Sequence, residues 1–499
     1  MSKKSKSIKI FICGIVSQFT ILILGIIIPR LFIVNYGSEI NGFLSSVRQI
    51  FVYVALLEAG IGTVSLQALY EPMAKNDYKN VSRIMVATDR YYKRTGVWYG
   101  IIVIIIALLY PYIFHTEISK TIIFGVIFFQ GASGVINYFF QGKYTILLRV
   151  DGKSYVTTNI LTIISVLTKI VQIILVISGY NIMIVQASYF AINLIQMLYI
   201  TIYIKKNYSW IDYSQEPNYN ALKQGKNVIV HQISGLIFNN TDILVLTYFC
   251  GLKTVSVYSL YNMIINCVSG IIDTICSSVE FVLGQAFHSN REYFLKLQEV
   301  YEVYYFALSY ALFTITLIML PAFIAIYARG ITDANYVDVY LPYLFVILNL
   351  LMYSRRTCSQ IINFAGHFKE TQTRSIVESA INLTVSLILV RYIGVYGVLI
   401  GTIVALLYRT NDIILYVNRH ILSRSVKNTY RRLLQNVLIT VSCVILFKKI
   451  LPDITSFMIW FKYSFLVSIF CFVIFFVVAS LCDRESFKYI KILIKTKGE

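Results

Sequence analysis

Arg30, Arg48 and Lys169 stand inside long apolar runs in the first half of the chain, and Arg355 and Arg356 inside one in the second half. A guanidinium is a planar fork of donors that matches phosphate oxygens in pairs, and an ammonium adds a compact point charge. Cations placed where hydrocarbon would otherwise surround them have the chemistry of an anion site. Acids share these runs: Glu58, Asp242, Asp273, Glu280 and Glu378. Asp242 sits in NNTDILVL with Asn239 and Asn240 one turn before it, and His231 falls on nearly the same helical face. A carboxylate with amide oxygens suits a coupling Na⁺ or a proton, and Glu58 and Asp273 are further candidates for that work. The competing reading is structural. Asp242 would hydrogen-bond between helices, and the arginines would pair with Glu58, Asp273 or Glu280. For Arg409 and Asp412, three residues apart near a helix end, an intrahelical ion pair is expected. The eight cysteines form no C-x-x-C or Cys/His cluster, so no metal site and no bound cofactor is expected. No phosphate-binding G-x-x-x-x-G-K-[ST] loop occurs, which argues against ATP-driven work by this chain.

These residues carry weight only because of the elements around them. Of 499 residues, 57% are hydrophobic and 14% charged, and the mean hydropathy is +0.69. A soluble domain carries about a quarter charged residues, so a soluble multidomain enzyme is excluded. Apolar runs long enough to cross a bilayer number about fourteen. They include 39–70 and 339–363, the second interrupted by Pro342, Arg355 and Arg356. Continuous runs exclude a β-barrel, which would show short alternating segments. With both termini in the cytoplasm, about 31 basic residues face inward and about six outward, a strong positive-inside bias. The net charge of +20 is therefore mostly topology and implies no nucleic-acid partner. The basic start MSKKSKSIKI leads into an apolar run without a small-residue cleavage site, so the first span serves as signal and anchor. In this frame Arg30 and Arg48 lie roughly 9 and 14 Å below the outer boundary, with Lys169 also in an outer half.

The chain also repeats itself. YGSEINGFLSSVRQI at 36–50 resembles CGLKTVSVYSLYNMI at 250–264, pairing Gly37 with Gly251 (251 − 37 = 214). ISGYNIMI at 177–184 resembles YIGVYGVLI at 392–400, pairing Gly179 with Gly394 (394 − 179 = 215). Two nearly equal offsets imply two parallel six-helix repeats with a substrate site between them. The expected architecture is an all-α polytopic membrane protein. Residues 1–204 form a first lobe, 205–227 a polar cytoplasmic linker, 228–420 a second lobe, and 421–499 an added helix pair with a basic tail.

LLEAGIGTVSLQALYEPMAKND at 56–77, QGKYTILLRVDGKSYVTT at 141–158, NNTDILVLTYFCGLKTVSVYSLYNMI at 239–264 and ESAINLTVSLILVRYIGVYGVLIGT at 378–402 resemble the polysaccharide repeat-unit flippases. These are the Wzx-type members of the multidrug/oligosaccharidyl-lipid/polysaccharide (MOP) exporter superfamily. The resemblance implies a non-enzymatic, multi-pass protein of a bacterial plasma membrane that moves an undecaprenyl-pyrophosphate-linked oligosaccharide by ion-coupled alternating access. Membrane lipids and polysaccharide polymerase or assembly proteins are the partners it implies. Lipid II flippases of the superfamily carry cavity arginines on spans 1, 2 and 8. Arg30 and Arg48 match the first two, whereas span 8 here carries Asp273 and Glu280. Two alternatives are a multidrug or lipid II exporter of the same superfamily and, from another class, a membrane polysaccharide polymerase or glycosyltransferase. The latter usually needs a large extramembrane loop, and none is visible.

Overall fold

The computed structural model describes the backbone of residues 3–58 and 61–496, and the side chains of that range other than 3–23, 223–239, 278, 281 and 491–496. Its regular structure is all helix, with no strand among the described residues. Among the described residues, eleven helices are long and apolar enough to cross a membrane, which makes the chain a multi-pass membrane protein. In chain order the helices are α1 (Lys3–Val54), α2 (Ile61–Ala74), α3 (Tyr78–Ile113), α4 (Lys120–Ile136), α5 (Gly142–Val150), α6 (Ser154–Ile177), α7 (Ile182–Asn207) and α8 (Lys226–Ser289). They continue with α9 (Arg291–Tyr327), α10 (Leu341–Ser354), α11 (Arg356–Ala365), α12 (Phe368–Ile393), α13 (Val395–Tyr416), α14 (Lys427–Ile450), α15 (Phe457–Cys482) and α16 (Arg484–Thr496).

Local chemistry sets the boundaries. Asp77 and Asn290 accept from the backbone N–H three residues on, each at 3.0 Å, and start α3 and α9. Asn181 starts α7 by accepting from Met183. The expected span 39–70 is two pieces: the helix tightens into a 3₁₀ turn over Ala55–Glu58 before α2 begins. The expected span 339–363 is also two helices, broken at Arg355, while Pro342 falls in the first turn of α10, where a missing N–H costs nothing. Both α1 and α8 are interrupted by one non-helical glycine, Gly37 (φ 86°, ψ 165°) and Gly251 (φ 80°, ψ 169°). Those torsions are open essentially only to glycine.

The chain divides into two compact units, Met1–Ser256 and Val257–Glu499. In the first, α6 packs on α1, and α4 packs on α3 and α7. Its interior is aliphatic and aromatic, with Phe43, Leu69, Val81 and Leu147 fully enclosed. The polar segment expected as a linker is a strap bound to this unit. Asn218 N–H donates to Arg83 O (3.1 Å), Arg83 Nε to Glu216 O (3.3 Å), and Tyr208 Oη to Asp151 (2.6 Å). Trp210 packs tilted against Tyr78 with ring centroids 4.4 Å apart.

In the second unit, α9 is the post against which α10, α14, α15 and α16 lean. The α12–α13 hairpin is drawn tight by Gly397 and Gly401. A Cβ at either position would fall within 2.4 Å of Leu389 or Ser386. Small residues at this four-residue spacing are how helices approach closely in lipid. The added α14–α16 segment is tied down by one carboxylate. Glu302 is fully buried and takes Arg424, Arg432 (3.1 Å) and Thr429 (2.9 Å), while Arg432 also reaches Asp483 (2.9 Å).

Candidate functional site

In the first unit, α6 against α1 brings Lys169 to Arg48. Lys169 Nζ donates to Gln172 Oε1 at 3.3 Å, and the Arg48 guanidinium is its charged neighbour. The side chain of Arg48 is exposed, with Tyr189 of α7 beside it. Among the described residues, neither cation has a carboxylate within 4 Å. Two like charges in mid-span are costly unless they face water or an anion. Arg30 is half-buried beside Pro29, on the other side of the Gly37 break, and is itself engaged by a neighbouring group.

The acids of this unit are placed differently. Glu58 ends the 3₁₀ turn, accepts from Tyr92 Oη and lies next to Tyr138. Its carboxylate borders a cavity of about 300 Å³ shared with Asn137, Thr145 and Arg149. Tyr138 is presented by a π-helical turn over Asn137–Gln141, the kind of widened turn frequent at functional sites. Asp242 is buried near Tyr53, whose oxygen is 2.7 Å from Thr241. The side chains of His231 and Asn239, expected beside Asp242, lie outside the described residues.

In the second unit the expected cations Arg355 and Arg356 do not stand as free charges. Arg355, at the break between α10 and α11, pairs with Glu378 at 2.5 Å. Glu378 in turn meets Arg409 (3.5 Å), which holds Asp412 (2.6 Å) as expected, and Asp412 also takes Arg374 (2.8 Å). Arg356 opens α11 and forks across α8, to Asp273 and to Glu280 (3.3 Å). Tyr353 donates to Asp273 at 3.1 Å, and Gln360, one turn after Arg356, donates its amide N–H to Glu280. The neighbours are legible in neutral periodicity: Gln298, Tyr301 and Tyr305 recur along α9 at helical spacing within an apolar helix. Sequence reasoning centred on charges passed over them.

No family model matches the chain, nor does any curated protein sequence. Solved structures do. Lipid II flippase MurJ in an inward closed conformation superposes with a TM-score of 0.69 at 13% identity, covering 95% of this chain and 99% of that one. An inward-facing multidrug resistance MATE family transporter of the MOP superfamily gives 0.67 at 17% identity, covering 82% and 96%. A MOP superfamily transporter from Pyrococcus furiosus, described by the reverse polarity of its binding pocket, gives 0.53 at 14% identity, covering 84% and 96%. The chain therefore has the fold of MOP-superfamily transporters. That is the coarser part of the resemblance carried by the sequence, and it covers both compact units.

Proposed function

We propose that the protein is a flippase for a lipid-linked oligosaccharide, carrying an undecaprenyl-pyrophosphate-linked repeat unit from the inner to the outer leaflet for surface polysaccharide synthesis. The observation that carries the reading is the Arg48–Lys169 pair: two cations side by side in mid-span with no carboxylate partner among the described residues. A pyrophosphate supplies the missing negative charge, and a guanidinium fork beside an ammonium grips both phosphate groups. Neutralising the headgroup there offsets its large desolvation cost. Arg30 adds a third cation on the same helix. The fold is shared with a lipid II flippase, whose named substrate is also lipid-linked. It is equally shared with multidrug transporters. Unopposed cations would repel the organic cations that such exporters mostly carry.

The test is complementation in a bacterium that needs this protein for surface polysaccharide. Arg48→Ala and Lys169→Ala are expected to cut export at least tenfold, with lipid-linked units accumulating on the inner face, whereas Arg48→Lys keeps part of the activity. Normal export by both alanine variants at normal protein levels overturns the reading. Accumulation of unpolymerised units on the outer face of a deletion strain would point to a polymerase. Drug sensitivity without a polysaccharide defect would point to a multidrug exporter.

A further inference from the structure

Glu58 is used neither by the Arg48–Lys169 pair nor by the ion pairs of the second unit. It closes the 3₁₀ turn after α1 and accepts from Tyr92 Oη, with Tyr138 also beside it. Among the described residues, its carboxylate thus has two phenols and no cation for neighbours. The acceptor is held firmly in place. Gly142 leaves room for the Tyr92 ring, which a Cβ at that position would overlap. A Cβ on Gly62 would come within 3.2 Å of the Glu58 carboxylate. The π-helical turn that presents Tyr138 also carries Asn137, and its last residue, Gln141, accepts from Gln196 of α7 at 2.7 Å. A carboxylate so fixed, without a counter-charge, is an acceptor that lacks donors.

The cavity it borders holds about 300 Å³, at the small end of the range for ligand sites and enough for one sugar ring. Thr63, Asn137, Thr145, Arg149 and Tyr92 complete its wall. Asn137, Thr145 and Arg149 are exposed, so the cavity is open on that side. A hydroxyl both donates and accepts, and this wall answers each way. The carboxylate accepts, the guanidinium donates, and the carboxamide and hydroxyls do both. The Tyr92 ring adds an apolar face for the C–H groups of a pyranose. An organic cation would be repelled by Arg149, and a sugar acid by Glu58. The ligand that meets neither obstacle is a neutral polyol. A proton on Glu58 would cancel its charge but leave the cavity and its other polar groups unused.

We propose that this cavity is a subsite for one neutral pyranose of the oligosaccharide, held by Glu58, Asn137, Thr145 and Arg149. The assignment rests on the flippase reading and extends it from the pyrophosphate to the sugars. Glu58 follows Arg48 by ten residues (58 − 48 = 10). Along the rest of α1 and the 3₁₀ turn that is about 17 Å. A lipid whose pyrophosphate lies at Arg48 therefore brings to Glu58 a sugar several units along the chain, not the first one. Selection at this subsite acts on the distal part of the repeat unit and disfavours a uronic acid there.

Binding is measured by saturation-transfer NMR on the purified full-length protein in lipid nanodiscs. The probes are methyl glucoside, methyl N-acetylglucosaminide and methyl glucuronide. The two neutral glycosides are expected to bind saturably in the millimolar range, and the glucuronide at least tenfold more weakly. Glu58→Gln is expected to weaken the neutral glycosides about tenfold, because a charged acceptor is lost, and Thr145→Val about threefold. Thr145 is exposed, so Thr145→Val folds even where Glu58→Gln does not. Absence of saturable binding of both neutral glycosides overturns the proposal. Binding unchanged by Thr145→Val, or a glucuronide bound as tightly as the neutral probes, overturns it as well. No glycoside binding in a protein whose export still depends on Arg48 and Lys169 removes the sugar subsite alone. Intact glycoside binding with export unaffected by Arg48→Ala and Lys169→Ala removes the flippase reading alone.

Discussion

Glu302 shows how a single buried carboxylate can govern stability. Its two oxygens are shared by Arg424, Arg432 and Thr429, and the carboxylate is fully enclosed. Removing one member of a buried network strands the others, at a cost of about 3–5 kcal/mol. Glu302→Ala is therefore expected to lower the melting temperature of the detergent-extracted protein sharply, and Glu302→Gln less, since the amide still accepts from Thr429. A melting temperature unchanged in both would refute the network. At this scale the sequence announced charges but not partners. Arg48 and Lys169 stood out because charged residues are rare in apolar runs, yet their proximity depends on α6 packing against α1. Glu302 drew no attention because it sits at the start of its expected span, where a charge is ordinary. The ion pairs of Arg355 and Arg356 join helices far apart in sequence, and composition cannot report them.

At the level of elements, glycine and proline were more informative than hydropathy. Runs of apolar residues located the helices but could not say where one breaks. Residues 339–363 read as one span, and the structure makes them α10 and α11 with Arg355 at the joint. The joint aims Arg355 at Glu378 and Arg356 at α8. Close helix contacts give a direct prediction. A Cβ on Gly42 would sit 1.8 Å from the carbonyl oxygen of Leu252, a backbone atom that cannot swing aside. Gly42→Ala is expected to reduce folded yield and thermal stability, whereas Gly25→Ala, with nothing within 4 Å, is expected to be mild. Size-exclusion profiles of the two variants side by side check this.

For the whole molecule, the repeat found by spacing has a torsional counterpart. Gly37 and Gly251 adopt nearly the same non-helical geometry, and Gly179 and Gly394 both have positive φ (77° and 57°). Asn41 donates to Ser256 across 215 residues, the same spacing as the repeat. These agreements support a duplicated origin, because a glycine-only torsion is hard to arrive at twice by chance. Loop charges predict an orientation with the basic loops inside, and that expectation is testable without any substrate. Single cysteines placed at Thr116 and Asp453 in a background without reactive thiols are expected to react with an impermeant maleimide in intact cells. One at Ser214 should react only after the membrane is opened. Labelling in the reverse pattern would invert the topology. Motif spacing carried the fold this far, but the pairing of Arg356 with Asp273 and Glu280 joins helices some eighty residues apart, which no linear pattern displays.

The strap over 208–218 changes what the connection between α7 and α8 can do. A free chain of the 18 residues between them would have a span of roughly 23 Å and would absorb any movement of the helices it joins. Here its length is taken up by bonds to α3 and Asp151, and the following 3₁₀ turn lies on α2. With no slack left, displacement at the start of α8 is felt at the ends of α2 and α3 on which the strap lies, so the connection behaves as a linkage rod rather than a tether.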